Sequence, residues 1–409
     1  MSGRQAVQTY ADMDSAMANA QKFTGMTREE VAALNEEFKK MDTRSSREEL
    51  NRLAGEAGML GKNTQEDVMG YVRAADQINV ALDDIGEGAT ETLSKLTNIF
   101  GDERRLGTER SLLAVGSVIN DLSQNSTAAS SYLAEFGQRM AGVGAQADMT
   151  IPQIMAFAAV LDSQGQNVEM ASTALSQLIM KLFQEPQRIA QATGLELDKL
   201  NEALNSSTND ALLMLLQRLH ELGGMDVLAP IFQDMGTDGA RASQVIAALA
   251  GNIETVVWQQ ENATKAYNEA TSVTKEYNVQ NNNVQAGLDK AKKGFTEMAV
   301  VLGEKLEPVM KYAITSTSAL MRVISAIIEF VEEYWRWIVT CAAAVSAYTV
   351  AVNLAIIKEK IWIALKAAGR AAVYAWTVAT QGAAVVTALF RSEERREGEE
   401  CRSRWSPYP

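Results

Sequence analysis

The run from Met149 to Phe183, MTIPQIMAFAAVLDSQGQNVEMASTALSQLIMKLF, restricts the possible folds more than any other part of the chain. Thr150 can cap a helix, with Gln153 three residues on as its capping-box partner. Ile154, Phe157, Ala158 and Leu161 then fall at i, i+3, i+4 and i+7, on one helix face. Gly165 interrupts the pattern. Val168, Ala171, Leu175, Leu178, Ile179 and Leu182 resume it, and Pro186 marks a stop. Two amphipathic helices joined by a glycine turn are expected, with no chemistry-bearing side chain between them.

Composition extends the helical expectation to the whole chain. Among 409 residues, 47% are hydrophobic and only six are proline. β-Branched residues rarely alternate with polar ones, so the expected class is all-α: a compact multi-helix domain, then long helices and an apolar helical hairpin. The formal charge of −13 disfavours DNA wrapping, which needs clustered Lys and Arg, and no sustained basic stripe occurs. Specific nucleic-acid binding is not expected, and a DNA-binding coiled coil fails on charge. Cys341 and Cys401 imply no disulfide framework. The N-terminus, MSGRQAVQTYADMD, lacks the apolar region of a secretory signal.

Start signals punctuate the first third. Thr27 and Glu30 form a capping box ahead of Val31, Leu34, Phe38 and Met41; Ser46 and Glu49 form a second ahead of Leu50, Leu53 and Ala57. Thr64 can cap a third helix carrying Val68, Tyr71, Val72, Ala75, Ile78 and Leu82, with Asp67 in its first turn. Leu112, Val115, Ile119 and Leu122 form one later stripe, and Tyr132, Phe136 and Met140 another. Ala141–Asp148, AGVGAQAD, reads as a small flexible loop. From Gly239 one long helix is expected through Ile246, Leu249, Ile253, Val256 and Val257, continuing into the polar stretch Gln259–Asn283. That stretch suits an exposed or coiled-coil connector. The resulting division is a core domain over 1–258, a polar connector over 259–308 and a hydrophobic region over 309–390.

Ile338–Ile357 and Ala371–Phe390 each hold twenty residues without a charge. About 20 apolar helical residues match the hydrocarbon thickness of a bilayer. Trp335 and Trp337 flank the first segment as interfacial anchors, and Lys358, Lys360, Lys366 and Arg370 favour a cytoplasmic connection. Both segments are Ala-rich, so a hairpin buried in an assembly fits them too. Residues 391–409, RSEERREGEECRSRWSPYP, resemble the translation of a sequencing adapter and break an apolar pattern at Phe390/Arg391. They read as an artefactual tail, with the natural protein continuing past Phe390.

Enzyme chemistry finds little material. The single histidine, His220, lies at a helix end, where it suits the helix dipole. One His and one credible Cys assemble neither a zinc site nor a Cys–His pair. Gly142-x-Gly144 lacks the Lys-Ser/Thr of a phosphate loop. Asp83-Asp84, Glu29-Glu30 and Glu332-Glu333 read as solvated helix faces, and Met155, Met170, Met180, Met214, Met225 and Met235 as core filling. No enzyme activity, cofactor or metal is expected.

Several segments share an order and spacing with a known family: Met13-Asp-Ser-Ala-Met17, Thr24-Gly-Met-Thr-Arg-Glu-Glu30, Glu49 through Gly61, Asp67-Val-Met-Gly-Tyr71, and the Met149–Phe183 pair. Over Asp12 to Phe183 the chain resembles the core of phage tail tape measure proteins of the lactococcal-phage type. The resemblance implies a structural protein of a phage or prophage tail that sets tube length. Its implied partners are the tail tube protein, tail assembly chaperones and baseplate or initiator proteins, with self-association into a homo-oligomer. It implies synthesis in the host cytoplasm, residence in the tail lumen, and help for DNA crossing the host inner membrane. Ile338–Ile357 and Ala371–Phe390 are the segments for that last step. The residues alone leave a second reading open, a helical pore-forming or membrane-anchored bacterial protein. As one continuous helix, 390 residues would span on the order of 600 Å, but the glycine-punctuated first half forbids such a rod.

Overall fold

Local signals decide where the helices begin. A computed structural model describes residues 3–312 except 83, 87, 237 and 238. At α2 (Arg28–Lys40) the Glu30 N–H donates to Thr27 Oγ1 at 3.2 Å while the Thr27 N–H donates to Glu30 Oε2 at 2.8 Å. The same reciprocal pair opens α3 (Arg47–Met59), from Ser46 and Glu49, and later α9, from Thr150 and Gln153. Thr64 caps α4 (Gln65–Ala81) by accepting from the Asp67 N–H at 3.2 Å. Each box satisfies two of the orphan donors at a helix start, so these boundaries are written within four residues of sequence.

Before α2 stands α1 (Gly3–Thr24). After α4 come α5 (Ala89–Ile99), α6 (Asp102–Leu106), α7 (Thr108–Gln124), α8 (Ser130–Gln146), α9 (Ile151–Ser163) and α10 (Val168–Gln184). A group of shorter helices follows: α11 (Pro186–Thr193), α12 (Leu197–Ser206), α13 (Thr208–Leu222), α14 (Met225–Asp234) and α15 (Ala240–Gly251). The described chain closes with α16 (Ile253–Glu269), α17 (Ser272–Gln280) and α18 (Val284–Tyr312). Among the described residues the regular structure is entirely helical, as composition leads one to expect.

Helices α3, α4, α7, α16 and α9 pack in succession, each against the next. Helix α9 lies at the centre: Ile151, Pro152 and every residue from Ile154 to Leu161 are buried. The helix-turn-helix expected at Met149–Phe183 is therefore present as α9 and α10, but α9 is apolar all round rather than amphipathic. Helix α8 covers one of its flanks and α16 another.

Three expectations need correction. Residues 141–146 are helical, not a loop; Gly144 is buried because a Cβ there would meet Ile154 Cδ1 at 2.3 Å. The glycine serves close packing of α8 on α9. The long helix expected from Gly239 is broken at Asn252, and its polar continuation breaks again at Ala270, a non-glycine residue at φ 53°. The polar stretch is not an exposed connector either: α16 packs on α7 and α9, and α17 on α4 and α7. Its amides are why. Gln260 and Asn209 of α13 exchange two hydrogen bonds (2.7 and 2.9 Å), Gln259 donates to the Asn125 carbonyl at 3.2 Å, and Asn120 donates to Ser272 Oγ at 2.8 Å. Gln260 and Asn209 satisfy each other reciprocally, whereas the buried Gln259 Oε1 has no partner among the described residues; buried amides paired in this way cost little, so a polar sequence can line a core. The methionines divide: Met155 and Met235 are fully buried, whereas Met180 and Met225 are about half exposed, at 47% and 51%.

Helix α18 turns its apolar stripe outward. Val284, Leu288 and Phe295 are each 57% exposed, while Ala286, Ala299 and Val300 are buried, and the helix packs on α1. No helix among the described residues is long and apolar enough to cross a membrane. The candidate spans Ile338–Ile357 and Ala371–Phe390, their anchors Trp335 and Trp337, the cysteines and the 391–409 tail lie outside the described residues.

Candidate functional site

Interacting titratable groups converge where the α2–α3 turn, residues 41–47, meets α4, α17 and α18. Asp76 of α4 is 1% exposed. Its Oδ1 accepts from Thr43 Oγ1 at 2.9 Å, and its Oδ2 lies 3.4 Å from the Tyr277 hydroxyl oxygen. Burial pushes its carboxyl above the usual carboxylate range, opposed by hydrogen bonds from Ser45 and Thr43 and by the Lys293 charge. Lys293 of α18 lies over the same turn, donating to the carbonyls of Met41 (3.5 Å) and Thr43 (3.4 Å); burial lowers its pKa. Burial likewise raises the Tyr277 phenol.

Further polar contacts hold the turn from outside. The Asp42 carbonyl accepts from the Tyr277 hydroxyl at 2.9 Å and from Asn281 Nδ2 at 2.7 Å, and the Arg44 N–H donates to Asn281 Oδ1 at 3.0 Å. Arg44 pairs with Asp289. Arg47 makes a two-pronged contact with Glu297 (2.9 and 2.8 Å), and Lys290 pairs with Asp42 at 2.7 Å. Perturbed groups in one place can mark a catalytic site. Here the space argues otherwise: the adjoining cavity, lined by Arg47, Lys293 and Glu297 among others, holds about 20 Å³. That is room for a water, not a substrate. The arrangement is a joint between helices, held by ion pairs to α18 and by hydrogen bonds to α4 and α17.

The residues singled out from sequence for chemistry are dispersed. His220 Nδ1 lies 3.0 Å from the Ala250 carbonyl, tying α13 to the end of α15. Gly142 and Gly144 belong to α8. Glu30 completes a cap, and Asp84 Oδ2 accepts from the Ser130 N–H at 2.9 Å. A groove of about 710 Å³ runs beside α16 between Gln153, Asn209 and Glu269 and is broadly open. No cluster of three or more His, Cys, Asp or Glu able to hold a metal occurs among the described residues. The joint itself escaped the sequence reading. Its signal was Asp289, Lys293 and Glu297 at i, i+4 and i+8, a charged face on an otherwise amphipathic helix.

Helices packed around an all-apolar central helix, with their polar clusters used in joints, make a structural module. The chain belongs to the phage-related minor tail protein family, whose model matches residues 28–232, from the first residue of α2 into α14. It is thus a structural phage tail protein, associated with the virion. No curated protein and no solved structure matches the chain.

Proposed function

We propose that this chain is a tail tape measure protein, the member of the tail that sets tube length during assembly. The observation that carries the reading is the order of parts. A family-matched helical core, residues 28–232, is followed by the 29-residue helix α18 and then by a sequence with long uncharged stretches. A helix rises about 1.5 Å per residue, so helical chain beyond such a core converts residue count into distance. The expected partners are the tail tube protein, assembly chaperones, the initiator complex and further copies of the chain.

In-frame deletions downstream of α18 in the phage gene test this directly. Tails measured by electron microscopy should shorten by about 1.5 Å per deleted residue. Tails of unchanged length would remove the tape reading and leave a minor tail component of another kind. The membrane role is separable. Ile338–Ile357 and Ala371–Phe390 fused to topology reporters should insert in the inner membrane; failure of both ends that part of the proposal.

A further inference from the structure

Helix α18 is held firmly on one face and bare on the other. It packs on α1, where a Cβ at Gly303 would run into the Ala6 carbonyl, and Lys293 donates to the carbonyls of Met41 and Thr43. Ala286, Ala299 and Val300 are buried. The outer face is apolar as well. Val284, Leu288 and Phe295 are each 57% exposed, and Ala291, Met298 and Leu302 are half-buried beside them.

The six outward residues obey a spacing that packing on α1 does not use. Val284, Ala291 and Met298 fall seven apart, and so do Leu288, Phe295 and Leu302. Two interleaved series of sevens form the a and d seam that a second helix with the same repeat can follow. From 284 to 302 the seam is about 27 Å long, at about 1.5 Å per residue. The glycines are an independent sign. Gly287 and Gly294, again seven apart, sit beside the seam, and a Cβ at either would meet nothing within 4 Å. Glycine inside a helix weakens it relative to alanine. No neighbour among the described residues requires either one. Gly303 shows what such a position does on the inner face, where it admits α1 at backbone distance.

We infer that α18 pairs along 284–302 with α18 of a second copy of this chain, the two helices parallel and in register. A second α18 carries the same sevens by identity. Charge sets the direction. In the parallel pair the exposed Lys292 lies beside Gly287 of the other copy, whereas the antiparallel pair that aligns the whole stripe sets Lys292 against Lys292. Lys305, next in the series after Met298, ends the seam. Packing on α1 has already ordered the helix, so pairing does not have to. The inference takes up the self-association expected above. Its test reads association and cross-linking rather than tail length, so either proposal can fail alone.

Sedimentation of the full chain over a range of concentrations should show reversible pairing. Leu288→Asp with Phe295→Asp should raise the dissociation constant at least about tenfold, since carboxylates would have to be buried in the seam. Both side chains are largely exposed, so the variant should keep the cooperative melt of the parent. A second measurement does not depend on that variant. With Cys341 and Cys401 changed to Ser, the single thiol of Phe295→Cys can form a disulfide only with another copy. It should cross-link under mild oxidation, and Gly142→Cys, on α8, should not. A chain that sediments as a monomer at every concentration overturns the pairing. So does association that the double Asp variant leaves intact, because the copies then meet elsewhere. Cross-linking of Phe295→Cys no faster than that of Gly142→Cys overturns it too.

Discussion

Single side chains in this fold are judged by what surrounds them, and the glycines show both signs. A Cβ at Gly58 would lie 2.4 Å from the Phe23 carbonyl carbon and the Thr24 nitrogen, where α3 crosses the end of α1. Backbone cannot step aside as a side chain can. Gly58→Ala should destabilise the domain by about 1–3 kcal/mol in urea unfolding. Gly142, exposed on α8, has nothing within 4 Å of the same position, so Gly142→Ala should stabilise by about 0.5–1 kcal/mol. Equal effects of one sign would refute the packing argument. Asp76 makes a pH prediction. Burial raises its pKa above 3.8, so over the interval above that value the folded chain holds a proton that the unfolded chain has released. The native state then binds more protons, and stability falls as pH rises. The contribution is whole below 3.8 and is lost as pH climbs through the raised native value. Asp76→Asn removes the titration. The melting temperature of the variant, relative to the parent, should rise with pH across that interval and then level off; a constant difference would sink the idea.

At the scale of helices, local and tertiary signals were unequally legible. The capping boxes at Thr27, Ser46 and Thr150 involve neighbours in sequence, and all three helix starts fall where the residues put them. The end of α8 and the docking of α16 and α17 depend on contacts between helices. Gly144 fits under Ile154 of the next helix, a contact that the periodicity of neither helix reveals. Gln260 meets Asn209 across 51 positions, and no short window of sequence contains both. The joint at 41–47 was missed for the same reason, since Arg47 and Glu297 are 250 residues apart. Between α2 and α3 the fully interior pair Asn35 and Asn51 exchange amide hydrogen bonds of 2.9 and 2.8 Å, and each also donates to the carbonyl four residues before it. Asn51→Leu alone leaves the Asn35 amide short of its partner and should cost about 1–3 kcal/mol. Adding Asn35→Leu should recover much of that loss. A double-mutant cycle with no coupling would show the pair to be independent.

Across the whole described chain, the order of synthesis and the order of packing run against each other. The core from Ala20 to Val273 contains what it needs once α17 has been made. The first half of α1 does not, because Ala6 and Tyr10 are covered by Gly303 of α18, close to three hundred residues later. A chain ending at Gln280 should keep α2–α17 folded, as judged by a cooperative melt, yet be cleaved by protease first between residues 3 and 13. Loss of the cooperative melt would place α18 in the folding core. Contacts this distant in sequence form late. The N-terminal helix leaves the ribosome first and finds its cover last, so its leading turns wait unshielded while nearly the whole domain is made. That wait is an interval in which another chain can reach α1 before its own does.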